Sequence, residues 1–173
     1  MSFRLFGTRI TISFALAALL CAAALLPGKL PPLLLAAILL HEGGHLLYIA
    51  AERLRMTEIR LSLTGVRMAL ADSVPMTLRR QLLLNCSGPT VNLLTAAVTT
   101  LLDGGVQGER LAAVSLAVAA VTLFPLGNSD GAAVLTALLE RYGGFSGRAA
   151  VWIQIGCSLL AAAVLLALCG AFG

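Results

Sequence analysis

Charge and aromatic side chains are scarce in this chain. Only 12% of its 173 residues are charged and 5% are aromatic, where an ordinary soluble domain carries about 25% charged residues. There is one lysine, Lys29, and the only histidines are His41 and His45. The shortage of stacking rings and the absence of a contiguous basic face exclude a nucleic-acid reader. The net charge of +4 comes instead from Arg residues lying mainly between apolar runs, as expected of charges that fix membrane orientation. Cysteine is sparse too, and Cys21, Cys86, Cys157 and Cys169 form no C-x-x-C pair. That excludes a disulfide framework and a zinc knuckle, leaving free thiols that pack as small apolar groups.

What the chain has in excess is apolar residues, 59% of the total, against about 45–50% in soluble domains. A soluble protein of this size has too little interior to hide them, whereas a bilayer removes the need. Apolar runs cover about 10–26, 33–51, 81–102, 111–126 and 149–171, the third interrupted by Ser87-Gly88-Pro89. A crossing needs about 20 such residues. The expectation is an all-α polytopic membrane protein with about five transmembrane helices and a single domain over 1–173. The first run has the basic start of a signal peptide, but no clear A-x-A site follows it, so we read it as a retained helix. Between the second and third runs, Ile59, Leu61 and Leu63 alternate with polar positions, and after Thr64-Gly65 so do Val66, Met68 and Leu70. Period-2 alternation about a glycine predicts a short β-hairpin after the second span. Residues 131–142 read as an amphipathic helix ending at Gly143-Gly144. With five crossings and residue 1 inside, ten of the twelve basic residues fall inside and only Lys29 and Arg110 outside, which puts the N-terminus in the cytoplasm.

Within the second run, His41-Glu42-Gly43-Gly44-His45 fits H-E-x-x-H. On a helix, positions i and i+4 share a face, so the two imidazoles can bind one zinc ion while the intervening Glu reaches a bound water. Zinc lowers the pKa of such a water to about 7, and Glu42 takes its proton and returns it to the leaving amine. Three ionisable residues in five positions of an apolar span are costly and rarely present without function. The two glycines cost helix propensity, on the order of 1 kcal/mol each, and leave a bare surface for close approach.

A catalytic zinc takes three protein ligands and keeps one position for water. Glu52 and Glu58 read as solvated or salt-bridged near the inner surface. Glu140 sits late in the amphipathic helix, and Asp103 and Glu109 lie on the outer side. Asp130, in Phe124-Pro125-Leu126-Gly127-Asn128-Ser129-Asp130-Gly131, lies at the inner end of the fourth run, at a depth similar to His41 and His45. It is either the third ligand or the cap of the helix that follows. Pro125 and Gly127 break the helix, and broken backbone at membrane depth lines polar cavities.

These segments, with Gly88-Pro89-Thr90-Val91-Asn92 between them, resemble the three motifs of the site-2 protease family of intramembrane zinc metalloproteases, and most resemble its sporulation-factor branch. The likeness covers roughly residues 35–135. It implies His41, His45 and Asp130 as ligands of one Zn2+ per chain and Glu42 as the acid/base. It also implies regulated intramembrane proteolysis, the cleavage of a partly unwound membrane-embedded or membrane-associated protein substrate, in a bacterial cell membrane. Asn92 matches the family's G-P-x-x-N asparagine, a hydrogen-bonding helper at the site or a polar contact between helices. The hairpin at 57–70 resembles the family's β element, which could hold an extended substrate by strand addition. Two positions depart from the pattern: Thr122 stands where the family often has Asn, and Ser129 where it often has Leu.

Two other readings compete with the hydrolase. In a membrane metal transporter the His pair would be a transit site, but repeated halves are then expected, and Glu42 would have no task. A catalytically inactive relative would bind membrane segments without cutting them.

Overall fold

The computed structural model describes residues 2–5, 8–12, 28, 30–54, 56–62, 65–70, 76–102, 105–125, 129–144 and 148–159. The chain is mostly helical. Two short strands, β1 (Ser2–Leu5) and β2 (Thr8–Ile12), precede the long helix α1 (Leu30–Ala51). Strands β3 (Met56–Ser62) and β4 (Gly65–Leu70) follow, and then α2 (Leu78–Leu102), α3 (Val106–Leu123) and α4 (Asp130–Tyr142). A last helix, α5, covers residues 148–159.

Among the described residues three helices, α1, α2 and α3, are long and apolar enough to cross a membrane. The expected crossing at 10–26 lies almost wholly outside the described residues, apart from residues 10–12, which are strand. The expected crossing at 149–171 is described only to residue 159, as helix.

The distribution of side chains is that of a membrane protein. Large apolar groups such as Leu39, Leu47, Leu94, Leu101 and Val121 are exposed, while His41, His45, Asn92, Ser115, Gln154 and Ser158 are buried. The apolar part of the core is mainly alanine, with Ala37, Ala96, Ala112, Ala119, Ala132 and Ala137 buried. Lipid is as apolar as Leu, so helices associate through small residues that let backbones approach.

Helix α1 starts with Pro31 and Pro32 in its first turn, where the missing N–H groups cost nothing. Its buried positions, Ala37, His41, Gly44, His45 and Ile49, recur at helical spacing on one face. Helix α2 runs unbroken through Ser87-Gly88-Pro89. The break in the apolar run is therefore no break in the helix: Pro89 sacrifices one backbone hydrogen bond, and burial against its neighbours retains the helix. α2 packs against α1, α3 and α4 and is the hub of the bundle.

The sheet is larger than an isolated hairpin. Its order is β1-β2-β3-β4. β3 and β4 pair antiparallel from Met56↔Leu70 to Ser62↔Gly65, β2 lies parallel to β3 from Arg9↔Glu58 to Ile12↔Leu61, and β1 pairs antiparallel with β2. The mostly helical expectation stands, and the hairpin expected after the second span is extended to a four-stranded sheet that recruits the N-terminal residues. Thr8-Arg9-Ile10-Thr11-Ile12 is rich in β-branched residues, which favour a pleated surface, and a lone hairpin is marginally stable without further strands.

Candidate metal centre

Helix α1 presents His41 and His45 one turn apart with ring planes at 80° and centroids 4.9 Å apart. Their Nε2 atoms converge to 3.2 Å. Asp130, the first residue of α4, places Oδ2 3.0 Å from His41 Nε2 and 3.5 Å from His45 Nε2. The three atoms form a nearly equilateral triangle. A tetrahedral zinc with bonds of about 2.0–2.1 Å has ligand–ligand edges of about 3.3–3.4 Å, so the donor set fits one small divalent ion.

Room for that ion is made by Gly88 on α2. A Cβ there would collide with His45 Nε2 and lie 2.8 Å from His41 Nε2 and Cε1. Gly44 does the same for the backbones, since a Cβ on it would meet the Ser87 carbonyl oxygen at 2.6 Å and Gly88 Cα at 3.0 Å. Gly43 is different. A Cβ on it meets nothing within 4 Å, so its bareness has no packing cause.

Behind the imidazoles the site is closed. His45 Nδ1 donates to the Leu84 carbonyl at 2.8 Å, and Ser87 Oγ lies 3.2 Å from the same nitrogen. His41 Nδ1 faces the side-chain amide of Asn92, 3.4 Å from Nδ2. Asn92 is 0% exposed, and its amide oxygen has no hydrogen-bond partner among the described residues. Turning the amide by half a revolution, an assignment made from hydrogen bonding alone, points that oxygen at the Nδ1 proton. On the other side the centre is accessible: the Asp130 side chain keeps 19% exposure and Glu42 is half-buried, within electrostatic reach of both histidines and Asp130.

Asp130 is free to act as a ligand because another residue caps its helix. Ser129 is the N-cap of α4 and accepts from the Ala132 amide. Its hydroxyl also bonds the Phe124 carbonyl at 2.5 Å, and Ser158 of α5 donates to the Pro125 carbonyl. The carbonyls freed where α3 ends thus find donors, as backbone at membrane depth requires. Gly131 permits the fold-back, because a Cβ there would strike the Leu123 carbonyl. Thr122 contributes nothing to the centre, its hydroxyl bonding the Val118 and Ala119 carbonyls of its own helix at 3.0 and 3.3 Å.

The residues singled out from the sequence, His41, Glu42, His45, Asn92 and Asp130, are therefore brought together, with Asn92 behind His41. Glu52 instead pairs with Arg80 at 3.3 Å, tying the end of α1 to the start of α2. Among the described residues, His41, His45 and Asp130 form the one group of three or more His, Cys, Asp or Glu side chains able to hold a metal. Sequence reasoning missed Ser87, the Leu84 carbonyl and the spatial role of Gly88. Their spacing with Asn92, at i, i+3, i+4 and i+8 on one helix face, was the available signal.

No family model matches the chain, and no curated protein matches it in sequence. In fold it is similar to the site-2 protease from Methanocaldococcus jannaschii, with a TM-score of 0.58 and 20% identity over 82% of this chain and 74% of that one. At that identity the likeness is one of fold.

Proposed function

We propose that this chain is an intramembrane zinc metalloprotease of the site-2 protease type, hydrolysing a peptide bond in or near a transmembrane segment of a membrane-associated protein. The observation that carries the reading is the convergence of His41, His45 and Asp130 within hydrogen-bonding distances of one another, with Glu42 next in the chain. When bound, zinc supplies a Lewis acid that acidifies water and polarises the scissile carbonyl. His41, His45 and Asp130 hold it. Glu42, on the accessible side, removes a proton from the attacking water and delivers it to the departing amide nitrogen. Asn92 orients His41. The apolar surroundings lower the local dielectric, which strengthens each of these electrostatic contacts.

The excess of Arg on one side supports a cytoplasmic N-terminus, and the edge strands β1 and β4 are where an extended substrate would pair through its main chain. The short chain and the early position of the His41–His45 motif are the grounds for placing it with the sporulation-factor branch.

The test is zinc per chain, by elemental analysis of detergent-purified protein, for the parent and Asp130→Ala, together with cleavage of a reconstituted single-span peptide by the parent and Glu42→Gln. About one zinc in the parent, reduced in Asp130→Ala, is expected for a three-ligand site. Glu42→Gln should keep zinc and lose cleavage by about 10²–10⁴-fold. A Glu42→Gln variant that cuts at the parental rate would refute the mechanism, and a folded parent without zinc would favour the inactive relative.

A further inference from the structure

The two imidazoles are held unequally. Among the described residues His41 Nδ1 has a single long contact, at 3.4 Å to the Asn92 amide. His45 Nδ1 sits between two oxygens of α2, the Leu84 carbonyl at 2.8 Å and Ser87 Oγ at 3.2 Å. A carbonyl only accepts, so the short contact requires a proton on Nδ1. The Ser87 hydroxyl itself donates to the Leu84 carbonyl at 2.7 Å. Its hydrogen therefore points away from His45, and its lone pairs face the Nδ1 proton. Both oxygens demand the same tautomer, in which Nε2 carries the lone pair and no hydrogen.

We infer that Ser87 is a positioning residue: locked onto the Leu84 carbonyl, its hydroxyl holds the His45 ring in the orientation and tautomer that present Nε2 to the metal. Outer contacts of this kind raise the basicity of a ligating imidazole and fix its plane. Ser87 adjoins Gly88, the residue that leaves space for both rings, so one turn of α2 both makes the room and aims the ligand. Thr90 provides the contrast on the same helix. Its hydroxyl makes the equivalent local bond, to the Cys86 carbonyl at 2.7 Å, but it is exposed and its described bond is to that carbonyl alone.

The inference rests on the metal reading above, and the test separates the two. Zinc affinity is measured on the full-length protein in detergent by competition with a chromophoric chelator, and the visible spectrum is recorded after cobalt substitution. Ser87→Thr and Ser87→Val have the same shape and differ in the hydroxyl. Ser87→Thr should keep the parental affinity and cobalt spectrum. Ser87→Val and Ser87→Ala should bind zinc about 10-fold more weakly or worse and shift the cobalt bands. Thr90→Ala should match the parent. Equal affinity and spectra for Ser87→Thr and Ser87→Val would overturn the role of Ser87 while leaving the metal centre intact, as would an equal loss in Thr90→Ala. No metal bound by the folded parent would overturn the metal reading itself.

Discussion

At the scale of single residues, three glycines within and beside the centre have three different duties. Gly88 faces both imidazoles, so Gly88→Ala should abolish zinc binding as thoroughly as loss of a ligand while α2 still forms, alanine being the better helix former. Zinc content and far-UV circular dichroism measured on one preparation decide this, and a variant that still binds one zinc would show that the rings can move aside. Gly44 and Gly43 make a second comparison. A methyl at 44 presses on the backbone of α2, which has no flexible end to yield. Gly44→Ala should therefore lower stability by about 1–3 kcal/mol, the usual cost of overpacking. A methyl at 43 meets open space, so Gly43→Ala should be neutral or stabilising by up to about 1 kcal/mol. Thermal melts in detergent that failed to rank Gly43→Ala above Gly44→Ala would contradict the close approach of the two helices.

At the scale of elements, Asp130, the candidate third ligand, opens α4 directly after the connection from α3. That connection is held by side chains. Ser129 caps α4 and also takes the Phe124 carbonyl, while Ser158 reaches across from α5 to the Pro125 carbonyl. Removing an N-cap costs about 0.5–2 kcal/mol. Ser129→Ala should lower the melting temperature and weaken zinc, because the carboxylate it leaves behind is aimed less firmly. Ser129→Asp, which can also cap, should restore the helix but add a second carboxylate beside Asp130. A melting temperature and zinc affinity unchanged in Ser129→Ala would show that packing alone directs Asp130. A single hydroxyl at Ser129 thus performs two tasks at once.

At the scale of the whole molecule, the candidate ligands come from α1 and α4, and the residues joining them pass through the sheet, α2 and α3. A metal bound by both helices closes that long loop in the folded state and has no equivalent site in the unfolded chain, so binding adds to stability. At free zinc 100 times the dissociation constant the gain is about 2.7 kcal/mol. Chelation should lower the melting temperature of the parent and leave that of His45→Ala unchanged, and a parent indifferent to chelator would argue against a shared ion. Acid should act like chelator, since protons compete with the metal for imidazole and carboxylate.

The amino-acid sequence alone was enough for whatever depends on composition or on neighbours along one helix. The surplus of Leu and Ala prescribes a lipid setting, and the four-residue spacing of His41 and His45 puts both rings on one face whatever the rest of the chain does. Asp130 was legible as a candidate but not as a ligand, because a carboxylate before a helix caps as readily as it coordinates. Only the fold shows that the cap belongs to Ser129 and that Oδ2 reaches the two Nε2 atoms. The pairing of β2 with β3 was also hidden, since an apolar, β-branched run reads equally well as strand or as the start of a span. The space above Gly88 and the grip of Ser87 on His45 depend on how closely α1 and α2 approach, a distance set by tertiary packing of small residues and written in no local pattern.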